Sequence, residues 1–501
     1  MEVIQVRRLN RAVLSILLIL AVTLSVTAFY LGDQAASETT LGGNATQAPR
    51  ITVAASDSSA AARASADYLC DGVNDQQEIQ AALDALPAAG GEVVLTEGKF
   101  LCTKSVAMPP KTALIGQDAR ETTIELNNSI IHLRHENTSL QNLSVSGYRY
   151  DWKHRWDAPV FITASNVSIR DVTGTADNTV HAVFFVVSLD ATDDGKVIEN
   201  IEFSGCRAQD PGTFGFMLSA SQAATNKLIR NVTFIDCEAI NCGRYSRYDP
   251  WVAGFNFAEQ NDIENLQVIR CRAEGSWESG FHVESPRNKT NVVMIDCTSN
   301  ENAQKEKTGV AQTVFGAGYL VNGDMRLVNC TSEGNYVGFY CSGGGFEVIN
   351  CIDRSSLFGY TLTNLTDPEG TRLTSCSATG ELHPIFFGRG DMVDVTLDRL
   401  TISLDNESSE KAGITVTRDV RSAPEILVQD SHIQGYRYGI NNTAMGAVRV
   451  INVDVSGAAV DFINCEVLDG PKPVPVAPML FREVILQFDH VFPGSAPGKN
   501  W

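Results

Sequence analysis

The chain has 501 residues, 44% of them hydrophobic, which is enough for a core larger than that of one compact domain. Its formal net charge of −20 argues against binding to nucleic acid, whose phosphates attract clustered Lys and Arg. The acidic residues are spread along the chain without a long run, which indicates a solvated surface.

The N-terminus has the pattern of an export signal. Arg7, Arg8 and Arg11 precede an apolar stretch at residues 13–30, and basic residues on this flank keep it cytoplasmic while the following chain is exported. About 18 apolar residues suit both a short membrane span and a long signal peptide. We predict a signal peptide or membrane anchor at residues 1–31, a polar linker at 32–50, and an extracellular protein that is either secreted or anchored to the membrane.

Eleven Asn-X-Ser/Thr triplets lie between Asn44 and Asn441. They permit surface glycosylation of an exported chain. A chain this rich in Asn, Ser and Thr also produces such triplets without any glycan, so both explanations stay open.

The first predicted element of the exported part is a helix that begins within residues 74–78. Asp75 and Glu78 have the spacing of a capping box, and Gly90-Gly91 ends the segment before a strand at residues 92–95. The apolar face of this helix comprises Ile79, Ala82, Leu83 and Leu86. Such a helix can cover the open end of a stack of strands, whose edge would otherwise be exposed.

A short unit then repeats along the chain. Five copies, VTFIDCEA at 232, LQVIRCRA at 266, VVMIDCTS at 292, MRLVNCTS at 325 and FEVINCID at 346, are β-rich runs that end in a polar residue followed by Cys. Units recur every 21 to 34 residues, an irregular spacing typical of solenoid coils rather than of even propeller blades. The aligned column comprises Leu143, Val172, Cys206, Cys237, Cys271, Cys297, Cys330, Cys351, Cys376, Leu400, Ser431 and Val453. A second column, usually preceded by Gly, comprises Phe216, Phe255, Phe281, Tyr319, Phe339 and Tyr360.

The repeat predicts about twelve coils stacked at the strand spacing of a sheet, a rod of roughly 55–60 Å filled by small apolar side chains. Free Cys behaves as a small buried hydrophobe, and seven of the twelve cysteines fall in one column. We therefore predict that these cysteines are interior and mostly unbridged. A metal site is not predicted, because the chain has no CxxC pair and the column has no His.

The run NDQQEIQAALDALPAAGGEVVLTEGKF, continued by TALIGQDARETTIEL, resembles the N-terminal part of the pectate-lyase-like β-helix superfamily. The preceding ADYLCDG is similar to exported β-helix proteins of methanogenic archaea. The resemblance implies an all-β fold, a right-handed parallel β-helix, and an action on acidic polysaccharides. On this basis we divide the chain into cap and first strands at 51–130, a parallel β-helix at 131–466 and a C-terminal tail or cap at 467–501. The resemblance supplies no catalytic residue, because the paired aspartates of polygalacturonases and the calcium-site pattern of pectate lyases are absent.

Long insertions point to the functional region, because loops on a regular scaffold carry function. Four of the five Trp residues lie in insertions that should leave the coils at the same corner, together with Tyr and Arg. Aromatic faces stack on sugar rings, and Arg pairs with uronate carboxylates. The candidate substrate-binding residues are Trp152, Trp156, Arg244, Arg247, Tyr248, Trp251, Asn256 and Trp277. Alternatively, these aromatics only pin the loops onto the rod.

Candidate acid–base groups lie on the adjacent strands. In GFNFAEQND and GFHVES the Phe residues point inward by alternation, so Asn256 and His282 should point outward and be neighbours on adjacent coils. The candidate catalytic residues are Asp249, Glu259, His282 and Glu284. Alternatively, His282 and Glu284 form an ordinary exposed ion pair. A third feature, the outward column Asp236, Arg270 and Asp296, predicts only a salt-bridged stack between coils.

Two functions remain open from the sequence. In the first, the chain is a carbohydrate-active lyase or hydrolase that binds an anionic polysaccharide in the corner groove. In the second, it is a non-enzymatic adhesin or envelope protein that only binds glycan. Expected partners are a polysaccharide or surface glycan and, through the N-terminal segment, the membrane. No cofactor is required by the sequence, and Ca²⁺ stays open.

Overall fold

The computed structural model describes residues 48–148, 158–176, 182–188, 197–220, 227–243, 252–257, 261–283, 289–307, 315–368, 370–380, 382–404, 409–421, 424–444 and 446–469. Over these ranges the chain forms 43 β-strands in two sheets and three short helices. The strand pairings between successive coils are parallel, so the described chain is a parallel β-helix, as the repeat predicts.

The first sheet has 29 strands and two segments in most coils. Its first segment comprises β1 (Arg50–Ala54), β3 (Gly91–Leu95), β6 (Thr112–Gly116), β9 (Thr138–Tyr148), β11 (Val167–Ala176), β13 (Ile198–Ser204), β16 (Leu228–Ile235), β19 (Asp262–Ile269), β22 (Lys289–Ile295), β25 (Met325–Val328), β28 (Phe346–Ile349), β31 (Thr371–Thr374), β34 (Val395–Asp398), β37 (Ile426–Gln429), β40 (Val448–Ile451) and β43 (Cys465–Asp469). Its second segment comprises β4 (Gly98–Cys102), β7 (Thr122–Asn127), β14 (Arg207–Gln209), β17 (Glu238–Ile240), β20 (Arg272–Glu274), β23 (Thr298–Asn300), β26 (Thr331–Glu333), β29 (Ile352–Arg354), β32 (Ser377–Ala378), β35 (Thr401–Ser403), β38 (His432–Gln434) and β41 (Asp454–Ser456), while β2 (Tyr68–Leu69) pairs with β1.

The second sheet closes each coil with one strand. Its 14 strands are β5 (Val106–Ala107), β8 (Ile131–Leu133), β10 (Val160–Ile162), β12 (Ala182–Ser188), β15 (Phe214–Ala220), β18 (Ala253–Phe257), β21 (Ser279–Val283), β24 (Ala317–Asn322), β27 (Val337–Ser342), β30 (Phe358–Thr363), β33 (His383–Phe387), β36 (Ser409–Val416), β39 (Tyr436–Asn442) and β42 (Val460–Ile463). This is two more than the twelve units counted in the sequence, because β5 and β8 belong to coils that precede the first aligned unit at Leu143.

The repeated polar residue before Cys makes the bend between the two segments of the first sheet. Asp236, Arg270 and Asp296 have φ of 54°, 50° and 54°, the left-handed region that turns the chain from one strand into the next. Because the bend points this residue outward, the following Cys points into the coil. The seven column cysteines are buried, and all twelve cysteines of the chain are free thiols. The predicted interior, unbridged column is thus confirmed.

The second column of the repeat is an aromatic stack in the interior. Phe216, Phe255 and Phe281 stack in parallel with ring centroids 4.8 Å apart, the spacing of neighbouring strands. The stack begins at Phe184 and continues through Tyr319, Phe339 and Tyr360. The Phe residues that were predicted to point inward therefore share the interior with the small apolar side chains, because a stack in register lets flat rings fit a narrow space.

The N-terminal end of the coils carries two short helices, α1 (Ala60–Ser65) and α2 (Gln76–Asp84), while α3 (Gln304–Lys307) lies in a later insertion. Helix α2 buries Ile79, Ala82 and Leu83 against the first strands, as predicted. The predicted capping box was wrong. The Asp75 carboxylate accepts no helix N–H and instead accepts the backbone N–H of Leu101 at 2.7 Å and of Gly72 at 2.9 Å, so it joins the helix to β4.

The outward face of the first sheet carries ladders of paired polar side chains. Arg270 donates to Asp236 at 2.7 and 2.8 Å, as the predicted stack requires, while Asp296 accepts from Asn329 at 2.9 Å. A second ladder runs through side-chain amides spaced one coil apart, at 2.8 to 3.0 Å: Asn166, Asn200, Asn231, Asn265 and Asn291.

Several predicted features lie outside the described residues: the export segment at 1–31, most of the linker at 32–50, and the tail from residue 470 onwards. Within the described ranges, no helix has the length and apolarity needed to cross a bilayer. Of the glycosylation triplets, Asn441 is only 3% exposed and cannot accept a glycan in the folded chain, whereas Asn137 and Asn364 are exposed.

Candidate functional site

The second sheet differs from the first in being buried on both faces over much of its length. Every residue of β18 and of β21 is buried. Phe255, Phe257 and Phe281 face the coil interior, so alternation directs Asn256 and His282 to the outer face. The candidate site is therefore covered by other parts of the chain.

Asn256 and His282 are direct partners in the parallel register of β18 and β21, which confirms that they are neighbours. They are 1% and 3% exposed, so these outward-pointing side chains are nevertheless withdrawn from solvent. The His282 ring lies over Phe315, with centroids 5.9 Å apart and an interplanar angle of 25°. Phe315 follows the polar insertion after β23, and its aromatic ring helps to cover the histidine.

Trp277 was expected either to line an exposed wall for a sugar chain or to pin its loop onto the rod, and its burial agrees with the second alternative. It is 9% exposed, and its backbone is hydrogen-bonded on both sides. Its N–H donates to the Cys242 carbonyl at 2.8 Å, and its carbonyl accepts from the Lys305 N–H at 3.0 Å. The chain at residues 303–305 makes three such bonds to residues 276–278, so this part of the insertion folds back over the preceding coil.

A buried ion pair that sequence analysis missed lies beside Trp277. Lys305 Nζ and Glu278 Oε1 are 3.1 Å apart, with side chains 7% and 2% exposed. The other Glu278 oxygen accepts the Val252 N–H at 3.1 Å, at the entry to β18. A charged residue directly before the apolar strand β21 was the available signal for Glu278. No local signal marks Lys305, because it meets Glu278 only through the fold of the insertion.

Trp277, Glu278 and Lys305 lie where β18 and β21 begin, and Asn256 and His282 lie further along these two strands. We call these five residues the polar cluster. Among the described residues, Asn256 Nδ2 and Trp277 Nε1 have no hydrogen-bond partner, although both are buried. Buried polar groups in folded proteins are nearly always paired, so these two unpaired donors need an explanation.

Asn256 and His282 of the polar cluster lie between two apolar patches of the same outer face. The first patch comprises Ala158, Phe161, Ala182, Phe185, Val187, Phe214, Met217 and Ala253. The second patch comprises Ala317, Leu320, Val337, Tyr340, Phe358 and Phe386. The register places Asn256 next to Met217, and His282 next to Leu320, so the outward column changes from apolar to polar and back within four coils.

Another histidine lies at the edge of the second patch. His383 is 2% exposed, its Nδ1 is 3.1 Å from the Thr415 hydroxyl, and its Nε2 has no partner among the described residues. Burial, with a smaller effect of the Lys411 charge, lowers the pKa of His383 from 6.5 to about 3. The ring is therefore neutral at physiological pH and contributes a hydrogen bond but no charge.

The remaining candidates stay predictions, because they lie outside the described residues: Trp152, Trp156, Arg244, Arg247, Tyr248, Asp249, Trp251, Glu259 and Glu284. Their positions in the chain fall into two sets, at opposite ends of the second-sheet strands. The segments that contain them connect the first sheet to the second or leave the ends of β18 and β21.

No family model and no curated protein matches the chain. Among solved structures it is similar to the catalytic unit of a GH87 α-1,3-glucanase from Streptomyces thermodiastaticus, at 12% identity over 80% of this chain and 68% of that one, with a TM-score of 0.43. It is also similar to the A-module of a mannuronan C-5 epimerase from Azotobacter vinelandii, at 14% identity over 81% and 97% of the chains and a TM-score of 0.35. A polygalacturonase from Erwinia carotovora is 12% identical over 83% and 99%, with a TM-score of 0.35. These are distant likenesses in the course of the chain, and they assign no activity.

Proposed function

We propose that this chain is an extracellular carbohydrate-active protein that binds an anionic polysaccharide at the polar cluster on the outer face of the second sheet. The observation that carries the proposal is the pair of buried, unpartnered donors at Asn256 and Trp277. An unsatisfied buried donor costs about 1–3 kcal/mol, and a ligand rich in hydroxyl and carboxylate oxygens would recover that cost.

Binding at this place requires movement of the covering chain. Residues 303–305 are hydrogen-bonded to residues 276–278, and Lys305 is held by Glu278. Displacement of this segment would expose the Trp277 indole to a sugar ring and release the Lys305 ammonium to a uronate carboxylate. Arg244 and Arg247, if they reach the same corner, would add bidentate donors.

Cleavage is a second function that His282 favours, since a histidine can serve as a general acid or base. With Asp249, Glu259 or Glu284 beside it, lyase or hydrolase chemistry would be available. The alternative is a non-enzymatic adhesin or envelope protein in which the cluster only binds. In either case the apolar N-terminal segment supports export and either secretion or anchoring to the membrane.

The test is a screen of the chain from residue 48 onwards against uronate-rich and neutral polysaccharides, with binding, reducing ends and unsaturated-uronate absorbance measured in parallel. Trp277→Phe, which removes only the indole N–H and ring area, should weaken binding several-fold. Asn231→Ala, in the amide ladder of the first sheet, is the matched control and should bind as the wild type does. Equal binding by wild type and Trp277→Phe, or no binding to any polysaccharide, would contradict the proposed site.

His282→Gln separates the two functions. A catalytic histidine acts chiefly in the transition state, so the substitution should reduce turnover while affinity is retained. Binding by the wild type with no turnover on any polysaccharide would leave the adhesin as the correct function.

A further inference from the structure

A second group of side chains with metal-binding chemistry lies at the N-terminal end of the coils, apart from the polar cluster. Cys70 directly follows β2, Asp75 is the N-cap residue of α2, and Glu78 is in the first turn of that helix. The thiol sulfur and one carboxylate oxygen from each acid all lie within 4.8 Å of one another. Three donors from two separate elements thus converge on one point.

The environment of these donors is that of a site rather than of a solvated surface. Cys70 is 1% exposed and Asp75 is fully buried. Glu78 Oε2 is buried as well and has no hydrogen-bond partner among the described residues. An anionic oxygen that is withdrawn from water and lacks a donor is stabilised by a cation.

Asp75 is oriented by its surroundings in the way that metal-binding carboxylates usually are. Each of its oxygens accepts one backbone N–H, from Leu101 at 2.7 Å and from Gly72 at 2.9 Å. A carboxylate oxygen has two lone pairs, so each oxygen keeps one for a further partner. Hydrogen bonds of this kind hold ligands in place around a bound metal ion.

We infer that Cys70, Asp75 and Glu78 bind a divalent transition-metal ion of the Zn²⁺ type. A thiolate selects against Ca²⁺ and Mg²⁺, which take oxygen ligands, while sulfur and carboxylate together suit Zn²⁺ in a tetrahedral site. A water molecule would provide the fourth ligand. Binding would release the Cys70 proton to solvent and leave the thiolate on the metal.

The role that follows is structural. The metal would tie β2 to α2, and through Asp75 to β4, at the place where the helix covers the first strands of the coils. Sheet edges that stay uncovered are sites of aggregation. A metal ion here would hold the cap closed outside the cell, independently of any glycan binding at the polar cluster.

The experiment uses the untagged full chain, stripped with chelator, desalted and titrated with Zn²⁺ against a chromophoric chelator, and in parallel with Co²⁺. We expect one equivalent of bound metal, a thiolate-to-cobalt charge-transfer band, and a higher melting temperature with Zn²⁺ than without it. Glu78→Gln should lower the affinity for Zn²⁺ at least tenfold, in line with loss of a ligand, and should abolish the Zn²⁺-dependent rise in melting temperature.

Two controls separate metal binding from damage to the fold. Cys341→Ala removes a buried thiol of the second sheet, and Glu121→Gln removes an exposed carboxylate, so both should keep wild-type affinity and the cobalt band. Cys70→Ala should lose the band. Because Glu78 is only partly buried, Glu78→Gln is expected to fold even if Cys70→Ala does not. Wild type that binds no metal, or Glu78→Gln that binds Zn²⁺ as the wild type does, would overturn the inference.

Discussion

The two sheets of the same coils have similar inner faces and different outer faces. In the first sheet, buried and exposed residues alternate, and the exposed ones are joined between coils by ion pairs and amide ladders, such as Arg230 to Glu199 at 2.6 Å. In the second sheet, strands β18 and β21 are buried on both faces and carry unpartnered polar atoms. The β-helix is held together by the inner columns of side chains. The buried polar residues on the outer face of the second sheet are not needed for that packing.

The outer faces of the two sheets also differ in how much an ion pair contributes to the free energy of unfolding. Exposed pairs on the first sheet are each worth about 0–1 kcal/mol, because water solvates both partners. The buried pair of Glu278 and Lys305 is different, because loss of one partner leaves the other charge uncompensated and out of water. Matched substitutions on the two faces therefore test the comparison directly.

The largest effect is expected from Lys305→Met. This change leaves the Glu278 carboxylate buried without its cation and should reduce the free energy of unfolding by about 3–5 kcal/mol. Arg230→Met on the first sheet should reduce it by less than about 1 kcal/mol. Urea unfolding of both variants and the wild type measures the difference, and similar losses in the two variants would show that the outer faces do not differ in this way.

The next prediction concerns the loss of stability at acidic pH that results from the buried His383. Because burial holds the pKa of His383 at about 3 in the folded chain but the unfolded chain takes up the proton near pH 6.5, the unfolded state binds more protons between these values. Stability should therefore be complete above pH 6.5 and should fall as the pH drops towards 3, by on the order of 4 kcal/mol. His383→Gln, which can keep a hydrogen bond to Thr415, should flatten this part of the profile.

The control for acid sensitivity is His432→Gln. His432 lies on the first sheet, where its Nδ1 is 2.8 Å from Asp454 and its side chain is 39% exposed. This variant should lose stability in acid as the wild type does. The test is the melting temperature of each variant from pH 3 to pH 8. If His383→Gln loses stability in acid as much as the wild type does, His383 is not the source of the acid sensitivity.

The smallest expected change in the free energy of unfolding is a gain on the outer face of the second sheet and a loss on the outer face of the first. Asn256→Leu removes an amide whose Nδ2 is buried and unpaired, so it should raise the free energy of unfolding by about 1 kcal/mol. Asn231→Ala removes a ladder amide that bonds Asn200 and Asn265 at 3.0 Å, and should lower it by about 1 kcal/mol. Stabilisation by Asn256→Leu together with loss of glycan binding would identify Asn256 as a functional residue kept at a cost in stability. A loss of stability in both variants would remove that explanation.

The parts of this structure that could be predicted from the sequence are those that repeat. Cys237 and Cys271 share a column because each follows an outward bend residue, and Asn256 and His282 are partners because each follows an inward Phe by one position. Such positions are set by the alternation of inward and outward residues along a strand, and this pattern is repeated in every coil. The burial of Trp277 and His282 could not be predicted from the sequence, because exposure depends on residues 303–305 and Phe315, which come from a different coil.

What the amino-acid sequence determined by itself is the parallel stack, the interior columns of Cys and aromatic rings, and the corner at which insertions leave it. These features follow from a local pattern that is the same in each unit: inward and outward residues alternate along the strand, and a polar residue makes the bend that follows it. Only the tertiary structure decided that Glu278 meets Lys305, that Asp75 bonds Leu101 rather than its own helix, and that Cys70 lies beside Glu78. These contacts join residues that no periodicity relates, and each depends on how one particular insertion or cap closes over the coils.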